Sequence, residues 1–222
     1  MAFQTTLQST GAHDEDVIKR LVSLRPPRPA VLRFEEVTRR YGRTLALERV
    51  SFGLAPGQLT ALVGENGAGK STLLRIAATL ERPSSGKITP DDRRAHIAWL
   101  GQEPGLYEDL TVRENLLFAA RFFGRESEVP VAAHTFGADL DRRVRHLSRG
   151  ERQRAALARA FVCGEILLLD EPTTGLDADG AHACIDALVA QRGARTMLVA
   201  THDAELVKRA DVVLRLHGGR LA

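Results

Sequence analysis

The sequence predicts an α/β protein built on a mainly parallel β-sheet that is covered on both faces. Short apolar runs at residues 166–169 and 196–200 have the length and composition of strands buried on both faces. Segments with helical periodicity, such as residues 178–191, alternate with these runs, as is typical of a parallel sheet. The 222 residues, 44% of them hydrophobic, suffice for one domain of this class.

The bulk composition argues against several classes of function. The net charge of +3 is too small to indicate a nucleic-acid-binding surface. Cys163 and Cys184 form no C-x-x-C pattern, so we expect two reduced, buried thiols, and the histidines lack the spacing of metal ligands. No stretch reaches the roughly 20 consecutive apolar residues that span a membrane. We therefore expect a cytosolic chain, in which any role at a membrane requires a separate partner.

Residues 1–30 are predicted to be an appendage without a catalytic role. Residues 1–13 are polar and predicted to be disordered. Residues 14–24 predict a short amphipathic helix, and the proline-rich residues 25–29 predict an extended linker. The domain itself is expected to cover residues 31–222.

The domain begins with two predicted strands. Residues 31–37 alternate between apolar and polar side chains, and residues 46–54 form a second run that Pro56 and Gly57 close. Tyr41 lies between the two runs. It is either an ordinary aromatic residue at a strand end or a platform on which an adenine ring stacks, and the residues alone favour neither.

A glycine-rich stretch follows the apolar run at residues 59–63 and leads into a helical pattern at residues 73–78. It matches G-x-x-x-x-G-K-[ST], in which glycines let backbone N–H groups surround a phosphate. Lys70 is predicted to contact the outer phosphates and Ser71 to bind Mg²⁺. The alternative is an ordinary glycine-rich turn between a strand and a helix. The predicted phosphate-binding residues are Gly64, Glu65, Asn66, Gly67, Ala68, Gly69, Lys70, Ser71 and Thr72.

The middle of the chain contains two predicted helix starts. After a turn at residues 81–86, residues 97–100 predict a buried strand that ends before Gln102. Thr111 and Glu114 form a capping box ahead of an apolar helix at residues 116–123. Ser148 and Glu151 repeat the S/T-x-x-E pattern ahead of a helix at residues 152–161. Residues 124–137 carry no clear pattern.

The last third of the chain continues the alternation of strands and helices. Residues 166–169 predict a strand that leads to Asp170 and Glu171. After the helix at residues 178–191, the strand at residues 196–200 leads to His202, and residues 211–221 predict a closing hairpin.

Candidate functional residues therefore follow four predicted strands, at the point where each strand ends. These residues are Gly64, Gln102, Asp170 and His202. Ligands of open α/β sheets bind outside the carboxyl ends of the strands, so we expect one shared crevice there.

From residue 31 to residue 222, the chain resembles the ATP-binding subunits of ABC transporters. The matching features are the glycine-rich loop, the preceding Tyr41, the glutamine Gln102, the signature segment at residues 147–151, the strand ending in Asp170 and Glu171, the loop at residues 175–177 and the histidine His202. The resemblance implies a P-loop NTPase fold of the ABC ATPase type. That fold has a mainly parallel sheet, an antiparallel β part and a small helical subdomain, expected at about residues 103–163.

The resemblance also implies the role of each residue. Glu171, His202, Lys70 and Gln102 are expected to serve ATP hydrolysis, with Glu171 polarising the attacking water. Ser71, Gln102 and Asp170 are expected to hold Mg²⁺. The resemblance favours Tyr41 as the adenine platform and adds Ser148, Gly150 and Asp177 to the nucleotide-binding residues.

Ser148 has two compatible interpretations. It caps a helix together with Glu151, and the same helix end can bind an anion. The resemblance implies that this end faces the ATP of a second ATPase subunit, which is either an identical copy or a close homologue. A separate transmembrane permease is the other implied partner, at the cytoplasmic side of the inner membrane, and no nucleic-acid partner is expected.

The sequence departs from the family pattern in two places. Arg149 and Glu151 replace residues of the commonest signature, L-S-G-G-Q, and residues 124–137 are short for the helical subdomain. The run at residues 106–116 and the S-R-G form of the signature resemble the ATPase subunit of haem exporters of cytochrome c maturation. Drug, lipid and polysaccharide exporters share much of this pattern. A soluble, non-transport ABC ATPase is the alternative of another class, although the chain has a single cassette and no sustained heptads.

Overall fold

The structure of the protein is a computed structural model that describes residues 31–90 and 96–222. The predicted disordered segment, the amphipathic helix at residues 14–24 and the proline-rich linker lie outside the described residues. The predicted domain boundaries stay a prediction.

A three-stranded antiparallel sheet begins the described chain. It consists of β1 (Leu32–Tyr41), β2 (Thr44–Leu54) and β4 (Ser85–Pro90), in the order β2-β1-β4. Both predicted strands are present and extend further than the alternation indicated. The sequence did not predict β4, because residues 85–90 contain a glycine, a proline and a single large apolar residue, Ile88. Antiparallel pairing with β1, from Leu32 opposite Pro90 to Thr38 opposite Ser85, makes this segment a strand.

The second sheet has six strands and carries the predicted parallel arrangement. Its strands are β3 (Leu59–Val63), β5 (Ile97–Leu100), β6 (Ile166–Asp170), β7 (Thr196–Ala200), β8 (Val212–His217) and β9 (Arg220–Leu221). They lie in the order β5-β6-β7-β3-β8-β9. The first five are parallel, and β9 pairs antiparallel with β8 as the predicted hairpin. The predicted fold class is confirmed.

Within residues 31–90 and 96–222, six α-helices occur between these strands. They are α1 (Lys70–Ala77), α2 (Val112–Arg121), α3 (Val129–Phe136), α4 (Arg149–Cys163), α5 (Ala178–Ala190) and α6 (Ala204–Arg209). Both predicted capping boxes are present, on Thr111 before α2 and on Ser148 before α4. Helix α3 lies in the segment for which the sequence carried no clear pattern, and Gly137 ends it in a left-handed conformation. Short 3₁₀ turns occupy Glu126–Glu128 and Val144–His146. Helices α2, α3 and α4 all lie within the range expected for a helical subdomain.

The parallel sheet is covered on both faces, but differently on each. Leu167 and Leu169 of β6 belong to a core that includes residues of α2 to α6. Ile166 and Leu168 of the same strand belong to a second core with α1 and the antiparallel strands β1 and β2. Because side chains alternate along a strand, this one apolar run supplies both cores. Within the described residues, no helix has both the length and the apolar character needed to cross a bilayer.

Candidate functional site

The glycine-rich loop joins β3 to α1 and requires glycine for two reasons. Gly67 and Gly69 have φ angles of 83° and 104°, which side chains of L-residues rarely adopt. A Cβ atom on Gly64 would lie 2.2 Å from the Leu216 carbonyl oxygen, and one on Gly69 would lie 2.5 Å from that of Ala46. The loop therefore packs closely against β8 and β2, and it lines a cavity of about 690 Å³ (the edge cavity).

Lys70, the first residue of α1, points its ammonium group back into the loop. Its Nζ atom donates to the carbonyl oxygens of Gly64 at 2.6 Å and Glu65 at 3.1 Å, and lies 3.2 Å from Nε2 of His202. The residue is 7% exposed. A buried cation without a carboxylate among these close contacts, at the positive end of a helix, favours binding of an anion.

The carboxyl ends of the parallel strands complete the edge cavity. Besides the loop, its lining includes Gln102 after β5, Asp170 and Glu171 at the end of β6, and His202 after β7. The structure thus brings Gln102, Asp170 and His202 together with the glycine-rich loop, although Gly64 itself is not in the lining. The loop residues in the lining are Asn66, Gly67, Gly69, Lys70, Ser71 and Thr72.

Glu171 adopts an uncommon backbone conformation, with φ of 50°. Its N–H donates to the Ala200 carbonyl oxygen at 2.9 Å, and its Oε2 atom accepts from the backbone N–H of His202 at 3.3 Å. Burial raises the pKa of the Glu171 carboxyl above its usual value of 4.5, and the Asp170 carboxylate adds to this, whereas His202 and Lys70 act in the opposite direction. A carboxyl with a raised pKa is suited to accepting a proton.

Asp170 provides the test of whether this site fits a divalent cation. The residue is 3% exposed, and no donor within the described ranges forms a hydrogen bond with its carboxylate. A buried carboxylate without a donor fits a bound cation, because the cation would supply the missing positive charge. Hydroxyl, amide and carboxylate oxygens from Ser71, Gln102 and Asp170 are the hard ligands that Mg²⁺ prefers, and all three residues line the edge cavity.

Tyr41 stands apart from this group. It is 44% exposed, and the Arg39 guanidinium lies 4.6 Å from the centre of its ring. Tyr41 is not among the described residues that line the edge cavity. The ring is exposed and therefore accessible to a ligand, and its role as an adenine platform stays a prediction. The Glu65 side chain is also solvent-exposed, and the residue contributes its backbone carbonyl to Lys70.

Ser148, Gly150 and Asp177 lie at a different place from the edge cavity. Ser148 Oγ accepts from the backbone N–H of Glu151 at 3.2 Å, and the Glu151 carboxylate accepts from the backbone N–H of Ser148 at 2.7 Å. Asp177 caps α5 by accepting from the Gly180 N–H at 3.1 Å. Ser148 and Asp177 are exposed. The structure therefore leaves these residues available to a ligand that lies outside the protomer's own edge cavity.

A second cleft, of about 440 Å³, lies between α4 and the end of β6 (the α4 cleft). It shares Gln102, Asp170, Glu171 and Thr174 with the edge cavity. Thr174 was not among the predicted site residues, although its position three residues after Glu171 in the same strand-end loop could have indicated it. Gln153, a 6% exposed polar residue on α4 that lines the α4 cleft, was not predicted either. A glutamine on the apolar side of a helix is the signal that could have found it.

The chain is similar in sequence to known ATP-binding proteins of transporters. The family model described as ABC transporter matches residues 47–174, more than half of the chain. A cytochrome c biogenesis ATP-binding export protein, CcmA 2 of Cupriavidus metallidurans, is 39% identical over 191 residues, which cover 78% of this chain and 90% of that protein. Nod factor export ATP-binding protein I of Paraburkholderia xenovorans is 37% identical over 199 residues, which cover 81% of this chain and 65% of that protein.

The fold is similar to that of a solved ATP-binding cassette. The dimeric, post-hydrolysis state of an ATP-binding cassette bound to ADP and phosphate superimposes with a TM-score of 0.78 at 25% identity, covering 86% of this chain and 96% of that one. The chain spans 65% of the length of the Nod factor export protein, and 37% and 44% of two further curated relatives. The chain belongs to the ABC transporter family of ATPases.

Proposed function

We propose that the chain binds and hydrolyses ATP as the nucleotide-binding subunit of an ABC transporter. The observation that carries this proposal is the convergence of Lys70, Asp170, Glu171 and His202 on the edge cavity, beside the glycine-rich loop. A cation for phosphates, a carboxylate for Mg²⁺ and a carboxylate with a raised pKa are the parts that phosphoryl transfer to water requires.

The loop and α1 hold the triphosphate. The backbone N–H groups of residues 67–72 and the N-terminus of α1 favour the negative charge of the phosphates. The Lys70 ammonium exchanges its contacts with the Gly64 and Glu65 carbonyl oxygens for contacts with the β- and γ-phosphates. The hydrogen-bond partners that Lys70 has in the structure show that its ammonium is already held at the loop.

Ser71, Gln102 and Asp170 hold Mg²⁺, directly or through water. When bound, the cation neutralises charge that develops on the phosphate oxygens. The buried Asp170 carboxylate, which lacks a donor among the described residues, is the protein group that this arrangement satisfies best.

Glu171 orients and deprotonates the attacking water. Its raised pKa makes the carboxylate a better proton acceptor than an exposed one. His202 is held at the same place, because its backbone N–H donates to Glu171 and its Nε2 atom lies 3.2 Å from Lys70 Nζ. From there its ring contacts the γ-phosphate.

We further propose that two ATPase subunits share each nucleotide, with Ser148 and Gly150 of one subunit facing the γ-phosphate held by the other. Ser148 is exposed and lies at the N-terminus of a 15-residue helix, outside its own edge cavity. The dimeric cassette bound to ADP and phosphate supports such an assembly. The second subunit is an identical copy or a close homologue.

The permease is proposed to dock on an aromatic surface formed by Tyr107, Phe118 and Phe122. These side chains are 56%, 46% and 73% exposed and pack edge to face in a row. Adjacent exposed aromatic side chains are typical of protein contact sites. Binding there would place the subunit at the cytoplasmic side of the inner membrane.

The cargo is proposed to be haem or a related component of cytochrome c maturation. The cytochrome c biogenesis relative supports this, because the chain covers 90% of its length. The Nod factor export relative favours an exporter of another cargo, such as a drug, lipid or polysaccharide, as the second candidate. If the first proposal holds, deleting the gene should lower the amount of haem-loaded cytochrome c in its host. The parental gene, but not a Lys70→Ala variant, should restore it.

ATP hydrolysis by the purified protein, compared with that of Glu171→Gln, tests the proposed activity. We expect kcat to fall by about 10²- to 10³-fold, because the variant cannot accept the proton. ATP binding should persist, and a dimer should form with ATP. The control Glu126→Gln, at an exposed residue of a 3₁₀ turn, should keep the parental rate. Hydrolysis by Glu171→Gln at the parental rate would contradict the role of Glu171.

A further inference from the structure

One face of α4 holds the loop that follows Glu171. A Cβ atom on Gly150 would lie 3.0 Å from the Gly175 carbonyl oxygen, and one on Gly175 would lie 2.9 Å from Arg149 Nε. Gln153 Nε2 donates to the Pro172 carbonyl oxygen at 2.9 Å, and Arg154 Nη2 lies 3.4 Å from Asp177 Oδ1. Residues 149, 150, 153 and 154 lie on one side of a helix. The first turns of α4 and the loop at residues 171–177 are therefore in continuous contact.

The loop needs such support, because Glu171 has a left-handed backbone. Non-glycine residues keep this conformation only where surrounding contacts hold it in place. The Glu171 N–H donates to Ala200 at 2.9 Å, and its carbonyl oxygen accepts from the Thr174 N–H at 3.0 Å. The next carbonyl along the chain, that of Pro172, accepts from Gln153. Since Pro172 has no N–H of its own, its carbonyl is the backbone hydrogen-bonding group through which this residue can be held.

Gln153 differs from the other contacts of α4 with this loop because it is buried. It is 6% exposed, whereas Arg149 and Asp177 are exposed. A hydrogen bond inside the protein is stronger than one in water, and its loss leaves a buried carbonyl without a donor. Gln153 also lines the α4 cleft together with Glu171. The Gln153 amide thus donates to the residue that directly follows Glu171, whose carboxylate is proposed to orient the attacking water.

We propose that Gln153 is a positioning residue for ATP hydrolysis, whose amide fixes the Pro172 carbonyl and thereby sets the orientation of the Glu171 carboxylate. This inference rests on the proposed function. Gln153 would also link the protomer's own Glu171 to the helix that faces the nucleotide of the second subunit. Ser148, which faces the nucleotide of the second subunit, lies five residues before Gln153 and caps the same helix.

Q153E tests the proposal, because it keeps the shape of the side chain and removes the donor at neutral pH. We expect kcat to fall by about tenfold while the KM for ATP changes by less than about twofold, since the Lys70 contacts are untouched. Q191E makes the same chemical change at the end of α5, where Gln191 caps the helix through its backbone. It should leave both constants unchanged.

The pH profile separates positioning from a general structural role. A protonated carboxyl can donate to the Pro172 carbonyl, so the deficit of Q153E relative to the parent should shrink as the pH falls. The charged groups that line the cleft beside it are Arg149, Arg152, Asp170 and Glu171. Gln153→Met has no donor at any pH, so its deficit should stay constant. It also takes the place of Q153E if that variant does not fold.

Two results would overturn the proposal. The first is a folded Q153E or Gln153→Met with the parental kcat. The second is a loss of activity that matches the loss of ATP-binding sites, with kcat per site and pH profile unchanged. Both differ from a failure of the proposed function itself, which would appear as a parent protein that binds Mg²⁺ and ATP without hydrolysing it.

Discussion

The carboxyl edge of the parallel sheet and the helical region formed by α2, α3 and α4 present opposite kinds of surface. The edge holds polar groups such as Lys70 and Asp170 next to the buried cores, and these two residues are themselves 7% and 3% exposed. The helical region exposes aromatic side chains instead, led by Phe122 at 73%. Chemistry needs groups held in one geometry, whereas partner binding needs apolar area at the surface. The proposed hydrolysis and the proposed docking of a partner therefore depend on separate surfaces, and mutations should affect one without the other.

The largest expected effect of a substitution is on ATP binding at the carboxyl edge of the sheet. Lys70→Ala should weaken binding of ATP by about 100-fold, because a charged contact with the phosphates is lost. Equilibrium binding of a fluorescent ATP analogue measures this. Lys208→Ala, which removes an exposed lysine from α6, should leave the affinity unchanged. Equal affinities for the two variants would mean that Lys70 does not contact the nucleotide.

Phe122→Ser should have the opposite pattern. The purified protein should keep its affinity for ATP and its basal hydrolysis, because the side chain is 73% exposed and lines neither the edge cavity nor the α4 cleft. Its affinity for membranes that contain the permease should fall by about tenfold, as for other contact aromatics. Co-sedimentation with such membranes measures the change. Unchanged sedimentation would place the docking surface elsewhere.

The two capping boxes allow a matched test of smaller size. Thr111→Ala and Ser148→Ala each remove a hydrogen bond at a helix start and should each lower the free energy of unfolding by about 1 kcal/mol. Only Ser148→Ala should also lower the rate of ATP hydrolysis, because only that helix end is proposed to face a nucleotide. Urea denaturation and steady-state kinetics measure the two effects. Equal loss of activity in both variants would reduce Ser148 to a structural role.

The smallest effect expected is a displacement of the pH profile. Glu171 must be a carboxylate to accept a proton, so kcat should fall as the pH is lowered through its raised pKa. The electrostatic effect of the His202 ring lowers that pKa, and His202→Gln removes this effect while the backbone N–H of residue 202 remains. The acid limb of the profile should therefore move to higher pH in this variant. A limb that moves to lower pH would show that His202 does not stabilise the carboxylate.

Much of the edge was predictable because its signals are local. The glycine-rich loop, the apolar strands and the S/T-x-x-E patterns each act over fewer than ten residues, and strand ends of one parallel sheet lie at one edge. The strand β4 and the helix α3 were not predictable in the same way. Few apolar residues distinguish β4, and its pairing partner β1 lies about 50 residues earlier in the chain.

The amino-acid sequence alone was enough to predict where the glycine-rich loop, the strands of the parallel sheet and the capped helices begin, because these depend on neighbouring residues. Which distant groups meet depends on the tertiary structure. It placed the Ala46 carbonyl against Gly69, the Gln153 amide on Pro172, and three aromatic side chains in one exposed row. These contacts depend on packing between separate elements, and packing is a property of the whole fold rather than of any short segment.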